Sequence, residues 1–134
     1  MHAYAVARSV SLAALARISL RDTGISAKGG VAIAEALKFH SSLMILDLCF
    51  NRIGTKGSKA IAEALRVNHS LTSLYIGSNE IGPEGGEAVA EALRLQGSNC
   101  SLTSLDLKYN DFDEDSRSKL RGAVHGRSSF NLVL

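Results

Sequence analysis

The chain writes one line of sequence four times over. The frame L-x-x-L-x-L-x-x-N opens at Leu15, Leu43, Leu71 and Leu102, with steps of 28, 28 and 31 residues. The longer last step comes from the connector "QGSN" at 96–99. Copy one reads Leu15, Ile18, Leu20 and Thr23, and copy two reads Leu43, Leu46, Leu48 and Asn51. Copy three reads Leu71, Leu74, Ile76 and Asn79, and copy four reads Leu102, Leu105, Leu107 and Asn110. A repeat at this period restricts the chain to a stacked array, because one copy cannot bury its own apolar faces.

Each copy contains two periodicities. "ISL", "LDL" and "LYI" alternate with period two, as a short strand does. The segments "GGVAIAEALK", "GSKAIAEALR" and "GGEAVAEALR" then take helical spacing. Ile33, Ile61 and Val89 pair with Leu37, Leu65 and Leu93 at i, i+4, and Ala36, Ala64 and Ala92 widen the stripe. Pro83 after Gly82 suits the first turn of a helix, where a missing N–H is harmless. One copy is therefore a strand, a turn and a helix.

These residues resemble the leucine-rich repeat of the ribonuclease-inhibitor-like type, over about residues 15–134. The resemblance implies an α/β solenoid with parallel strands on a concave face and helices on a convex face. Four repeats of ~28 residues and a closing strand over 130–134 make one domain spanning 1–134. Residues 1–14 are expected to form a degenerate N-terminal helix. The resemblance also implies that Asn51, Asn79 and Asn110 bond backbone groups of adjacent turns, so Thr23 is expected to leave a looser first turn.

The ends depart from the pattern. Where copies two and three place Ala60, Ala62, Ala88 and Ala90, copy four has Lys119 and Arg121, which suits a capping repeat. Phe130 falls 28 residues after Leu102, where a fifth strand would start. The N-terminal edge has no such cap, so self-association through it is expected. The first 21 residues hold Arg8, Arg17 and Arg21 with no acid, a composition shared with organelle transit peptides. The in-register frame of Leu15, Ile18 and Leu20 argues for the fold instead.

Composition narrows the function. Fifteen basic and 13 acidic residues give a net charge of +2, too balanced for nucleic acid, and no apolar run of membrane-spanning length occurs. Two cysteines, Cys49 and Cys100, are too few for a disulfide framework, which points to free thiols and an intracellular, cytoplasmic location. Asp111, Asp113 and Asp115 alternate like the start of a calcium loop, but Ser116, Ser118 and Gly122 stand where that loop needs Gly, an apolar residue and Glu. The acids read better as the N-terminal cap of the last helix. His2, His40, His69 and His125 read as surface residues without zinc spacing. Cys49 reads as an inert thiol, although Arg21 occupies its slot one repeat earlier. No nucleophile–base motif occurs, and neither a metal nor a cofactor is implied.

The variable strand positions carry the information. They are Arg17, Ser19 and Arg21 in copy one, and Ile45, Asp47 and Cys49 in copy two. Copies three and four offer Ser73, Tyr75 and Gly77, then Ser104, Asp106 and Lys108. The next slot holds Asp22, Phe50, Ser78 and Tyr109. The candidate partner-binding set is Arg17, Arg21, Asp47, Phe50, Tyr75, Asp106, Lys108 and Tyr109, with Tyr75 at the centre. The expected function is non-catalytic recognition of a protein on the concave face. The alternatives are a GTPase-activating regulator resembling Ran GTPase-activating protein, or a fragment of a larger innate-immune-type sensor array. The first has more repeats and an acidic tail, which this chain lacks.

Overall fold

Strands this short are stable only when each pairs with a neighbour, and the repeat supplies the neighbours. The structure is a computed structural model that describes residues 16–96 and 101–134. Leu15, Cys100 and the expected helix over 1–14 lie outside the described residues. The elements run β1 (Arg17–Ser19), α1 (Ala27–Phe39), β2 (Ile45–Asp47), α2 (Gly54–Val67), β3 (Ser73–Tyr75), α3 (Gly82–Gln96), β4 (Ser104–Asp106), α4 (Glu114–Ala123) and β5 (Asn131–Val133). The strands form one parallel sheet in sequence order, which is the expected α/β solenoid.

The register aligns equivalent slots. Ile18, Leu46, Leu74, Leu105 and Leu132 share one row across the four strand pairings. The closing strand forms, but one residue out of the expected frame. Asn131 pairs with Ser104, so Phe130 stands in the Thr103 slot and not in that of Leu102. The register sets Leu132 beside Leu105, where it packs against the core, and a slip of one residue from it would turn Leu132 to the other face.

Three asparagines fix the turns. Asn51 Oδ1 accepts from the amides of Thr23 (3.1 Å) and Ile25 (2.9 Å), and its Nδ2 donates to Leu20 O (3.0 Å). Asn79 Nδ2 donates to Leu48 O (2.9 Å), and its Oδ1 accepts from Ile53 N (3.3 Å). Asn110 Nδ2 donates to Ile76 O (2.9 Å), and its Oδ1 accepts from Asn79 N (2.7 Å). Each Asn thus serves the turn of the repeat before it. The first turn is held by Asn51 and is not left loose by Thr23. Thr23 Oγ1 donates locally to Leu20 O (2.6 Å).

The slot before each Asn bends the chain out of the sheet. Asp22, Phe50, Ser78 and Tyr109 all take positive φ, between 52° and 60°. Their amides still extend the ladder: Asp22 N bonds Cys49 O, Phe50 N bonds Gly77 O, and Ser78 N bonds Lys108 O. The residue two places after the Asn then plugs the core. Ile53 and Ile81 are fully buried there, and Phe112 takes the same place in copy four.

Helices pack through missing side chains. A Cβ on Gly85 would lie 2.4 Å from both Ile81 Cγ2 and Ser58 Oγ, and one on Gly86 would lie 2.8 Å from the Phe112 ring. Gly86 is what allows Phe in place of Ile at that plug. Ile61, Val89, Leu65 and Leu93 are buried as the stripe requires. Ala64 and Ala92 are buried too, but Ala36 is exposed, because no described helix packs on that flank of α1. At the other end Arg121 stays in solvent and pairs with Glu114 (3.3 Å), while Lys119 reaches back to Glu87 on α3 (2.6 Å).

A second ladder closes the helix C-termini. Asn68 Nδ2 donates to Leu37 O (2.8 Å), Gln96 Nε2 to Leu65 O, and Arg127 Nη2 to Leu93 O. Last-turn carbonyls have no intrahelical donor, so a residue at or beyond the end of the next helix supplies one to the helix before it. His40 is half-buried and structural: its Nδ1 accepts from Ser42 N (3.3 Å) and Leu43 N (3.0 Å), as Asn68 Oδ1 does from Ser70 N and Leu71 N.

Asn79→Ala should lower the urea-unfolding free energy by about 3 kcal/mol, because it strands buried carbonyls and an amide together. Thr23→Ala, which removes one exposed bond, should stay within about 1 kcal/mol.

Candidate functional site

Period two sends alternate strand residues to opposite faces, so the residues between the buried Leu and Ile form the inner surface. The register sets Asp47, Tyr75 and Asp106 in one row, with Tyr75 between the two carboxylates. All three are half-buried. Each Asp also folds back on its own strand: Asp47 Oδ1 accepts from Cys49 N (2.9 Å) and Asp106 Oδ1 from Lys108 N (3.0 Å). That bond leaves the outer oxygen, Oδ2, to face the concave side.

A hollow of about 400 Å³ opens over the first half of the sheet. Arg17, Arg21, Asp47 and Tyr75 line it together with Ile18, Ser19 and Ile45. Phe50, Asp106, Lys108 and Tyr109 lie outside this hollow, at the strand ends and over the second half. The candidate set therefore divides in two along the array.

Arg21 is not a free rim charge. Its Nη1 lies 3.5 Å from Asp47 Oδ2, and its guanidinium sits 4.7 Å above the centre of the Phe50 ring. Phe50 is still 51% exposed and Tyr109 is 79% exposed. Both hold φ of 60°, a conformation that disfavours bulky side chains. Two exposed aromatics are thus kept on strained backbone, a combination that packing does not explain.

The third slot does not project outward as expected at Cys49, which is buried, nor at Gly77. The thiol lies 3.6 Å from where a Gly77 Cβ would stand, at ordinary contact distance, and Lys108 O lies closer, at 3.2 Å. Burial pushes the Cys49 thiol up to about 11. The Gly77 amide bonds the sulfur and opposes the rise, and Asp47 and Asp106 add to it. Cys49 is unpaired, and Cys100 lies outside the described residues.

The alternating acids of copy four act on their own helix. Asp113 caps α4 by accepting from Ser116 N (2.8 Å), and that bond holds its carboxyl below the ordinary range. Among the described residues no group of His, Cys, Asp and Glu is arranged to hold a metal. No described helix is long and apolar enough to cross a membrane.

On the convex face, the carboxylates are neutralised locally. Glu35, Glu63 and Glu91 pair with Lys38, Arg66 and Arg94 one turn on, and Glu84 pairs with Lys59 of the preceding helix (3.4 Å). Asp106, Glu80 and Asp111 have no such partner among the described residues. The unneutralised acids over repeats three and four thus belong to the strand ends and turns.

Comparison with known proteins agrees with the geometry. A family model described as Leucine Rich repeat matches residues 39–62, 67–90 and 98–120, more than half of the chain. No curated protein matches it. Among solved structures, the chain is similar to "Leiomodin-1 Actin-Binding Site 2 (ABS2)", with a TM-score of 0.75 and 22% identity. That match covers 88% of this chain and 69% of the other.

Cys49 should resist alkylation near neutral pH in the folded protein and react on unfolding, as peptide mapping by mass spectrometry would show. The raised thiol pKa stabilises the fold fully below about pH 9, and this contribution is lost as pH rises through about 11. Rapid labelling of Cys49 in the native state would contradict the burial.

Proposed function

Because this chain belongs to the leucine-rich repeat family, we propose that it is a non-catalytic recognition module that holds a protein partner on its concave strand face. The observation that carries the reading is the row Asp47, Tyr75, Asp106, in register across three strands. An aromatic ring between two carboxylates suits a basic or amphipathic segment, since Tyr supplies contact area at low entropic cost and the acids attract cations. The concave hollow beside Tyr75 offers depth for a side chain. The similar solved structure carries a title naming actin binding, which supports a protein as the partner class.

The reading extends to the ribonuclease-inhibitor-like type of repeat, supported by the full α-helix of 13 to 15 residues in each of the first three units. It also includes an intracellular location, supported by the unpaired thiol of Cys49.

Proximity crosslinking in cells identifies the partner, and binding is then measured with purified protein. Tyr75→Ala and Asp106→Ala should each weaken it by about 30-fold or more, the effect of truncating a central anchor. Arg66→Ala and Arg94→Ala remove only exposed pairs with Glu63 and Glu91 and should leave both affinity and melting temperature unchanged. Loss of binding in the helix variants with Tyr75→Ala intact would make the convex face the working surface.

A further inference from the structure

Among the described residues, Arg21 fills a site between a carboxylate and an aromatic ring of the next repeat, and a second Asp–aromatic pair at the same spacing meets no guanidinium. The filled site joins repeats one and two. Asp47 and Phe50, in the segment "DLCF", hold Arg21 between carboxylate and ring. Repeat four carries the same pair at the same spacing, Asp106 and Tyr109 in "DLKY".

The backbone around the two pairs coincides. Ser19 pairs with Asp47, and Tyr75 pairs with Asp106. Beyond each pairing the ladder continues alike: Leu20 N to Asp47 O and Asp22 N to Cys49 O on one side, Ile76 N to Asp106 O and Ser78 N to Lys108 O on the other. Phe50 and Tyr109 share a φ of 60°. In both pairs the Asp Oδ1 is spent on the amide two residues on. Oδ2 is the oxygen that meets Arg21 in the first site, and Asp106 has no ion pair among the described residues.

Within the two segments, buried Cys49 stands against exposed Lys108 and Phe50 against Tyr109, and across the strands the difference lies at one position. The residue of repeat three that corresponds to Arg21 is Gly77, two places beyond the strand residue paired with the Asp. It brings no side chain, and a Cβ there would stand 3.7 Å from Asp106 Oδ1. The Tyr109 ring is correspondingly more exposed than the Phe50 ring, whose face Arg21 covers. Repeats two and three make no such site, because Tyr75 and Ser78 replace the Asp and the aromatic.

We propose that Asp106 and Tyr109, beside the position where Gly77 brings no side chain, form a binding site for an arginine side chain of the partner. The inference rests on the concave-face reading and adds the chemistry of the group that is recognised. A planar guanidinium stacks on an aromatic face while it bonds a carboxylate, and Arg21 does both within this chain. An ammonium group makes the second contact without the planar stacking.

The test is titration of the full ¹⁵N-labelled chain with N-acetyl-arginine methylamide, with the neutral citrulline analogue as control. The amides of Gly77, Asp106, Lys108 and Tyr109 should shift with arginine and not with citrulline. Asp106→Asn keeps the acceptor for Lys108 N, so the fold is retained, and should weaken the response about tenfold, as should Tyr109→Ser. Arg21→Ser should open the first site and add a second set of shifts at Cys49 and Phe50. Silence at Asp106 and Tyr109 in the unaltered chain overturns the proposal, even where Arg21→Ser opens the first site. Equal response to citrulline, or an undiminished response in Asp106→Asn, overturns it too. The concave-face reading survives such a result if Tyr75→Ala still weakens the crosslinked partner. Conversely, a probe that binds while no concave-face variant alters partner affinity sinks that reading and leaves the arginine site standing.

Discussion

Asn51, Asn79 and Asn110 are each bonded backward, to the turn of the preceding repeat, and the rest of the structure depends on that reach. A three-residue strand has too few ladder bonds to set its own register. The carboxamide adds a donor and an acceptor at the point where the chain leaves the sheet, and so ties the end of each strand to its neighbour. With strand ends tied, equivalent slots fall into rows across the inner face. The row of Asp47, Tyr75 and Asp106 and the likeness of the Arg21 and Gly77 positions are both consequences of this alignment.

The two faces then serve different purposes. On the convex side, close-packed glycines, alanines and the donors at the helix ends hold the helices, and the exposed carboxylates are neutralised by Lys or Arg one turn away or on the next helix. Such exposed pairs add little stability, but they leave the helical surface without a strong field. On the concave side and at the strand ends, Asp106, Glu80 and Asp111 have no ion-pair partner among the described residues, and aromatics occupy strained backbone at Phe50 and Tyr109. A chain selected for stability alone would favour Asn or Gly at those two turns.

Much of this was legible in the sequence, for a physical reason. Buried Leu and turn Asn are each nearly the only residue type that meets its requirement, so they recur by name and reveal strands, period and fold. The donors to the helix carbonyls escaped notice because Asn68, Gln96 and Arg127 share only an N–H, and no letter repeats. Ile25, Ile53, Ile81 and Phe112 do repeat as a core plug, and that signal was available two places after each Asn or Thr. The one-residue slip of β5 was hidden because Phe130 and Leu132 both look like core residues, and only pairing with β4 decides between them. The candidate residues were found because strand alternation assigns them to one face. Their partners were not, since Arg21 meets Asp47 and Phe50 across repeats, at a separation that no local pattern reports.

Native-state hydrogen exchange on Asn110→Ala tests the backward reach of the asparagines most directly. Asn110 Oδ1 accepts from the amides of Asn79 and Ile81, which belong to the previous repeat. Protection should therefore fall first at Asn79 and Ile81, with the amides of α4 little changed. Loss of protection confined to repeat four, with Asn79 and Ile81 still protected, would contradict it.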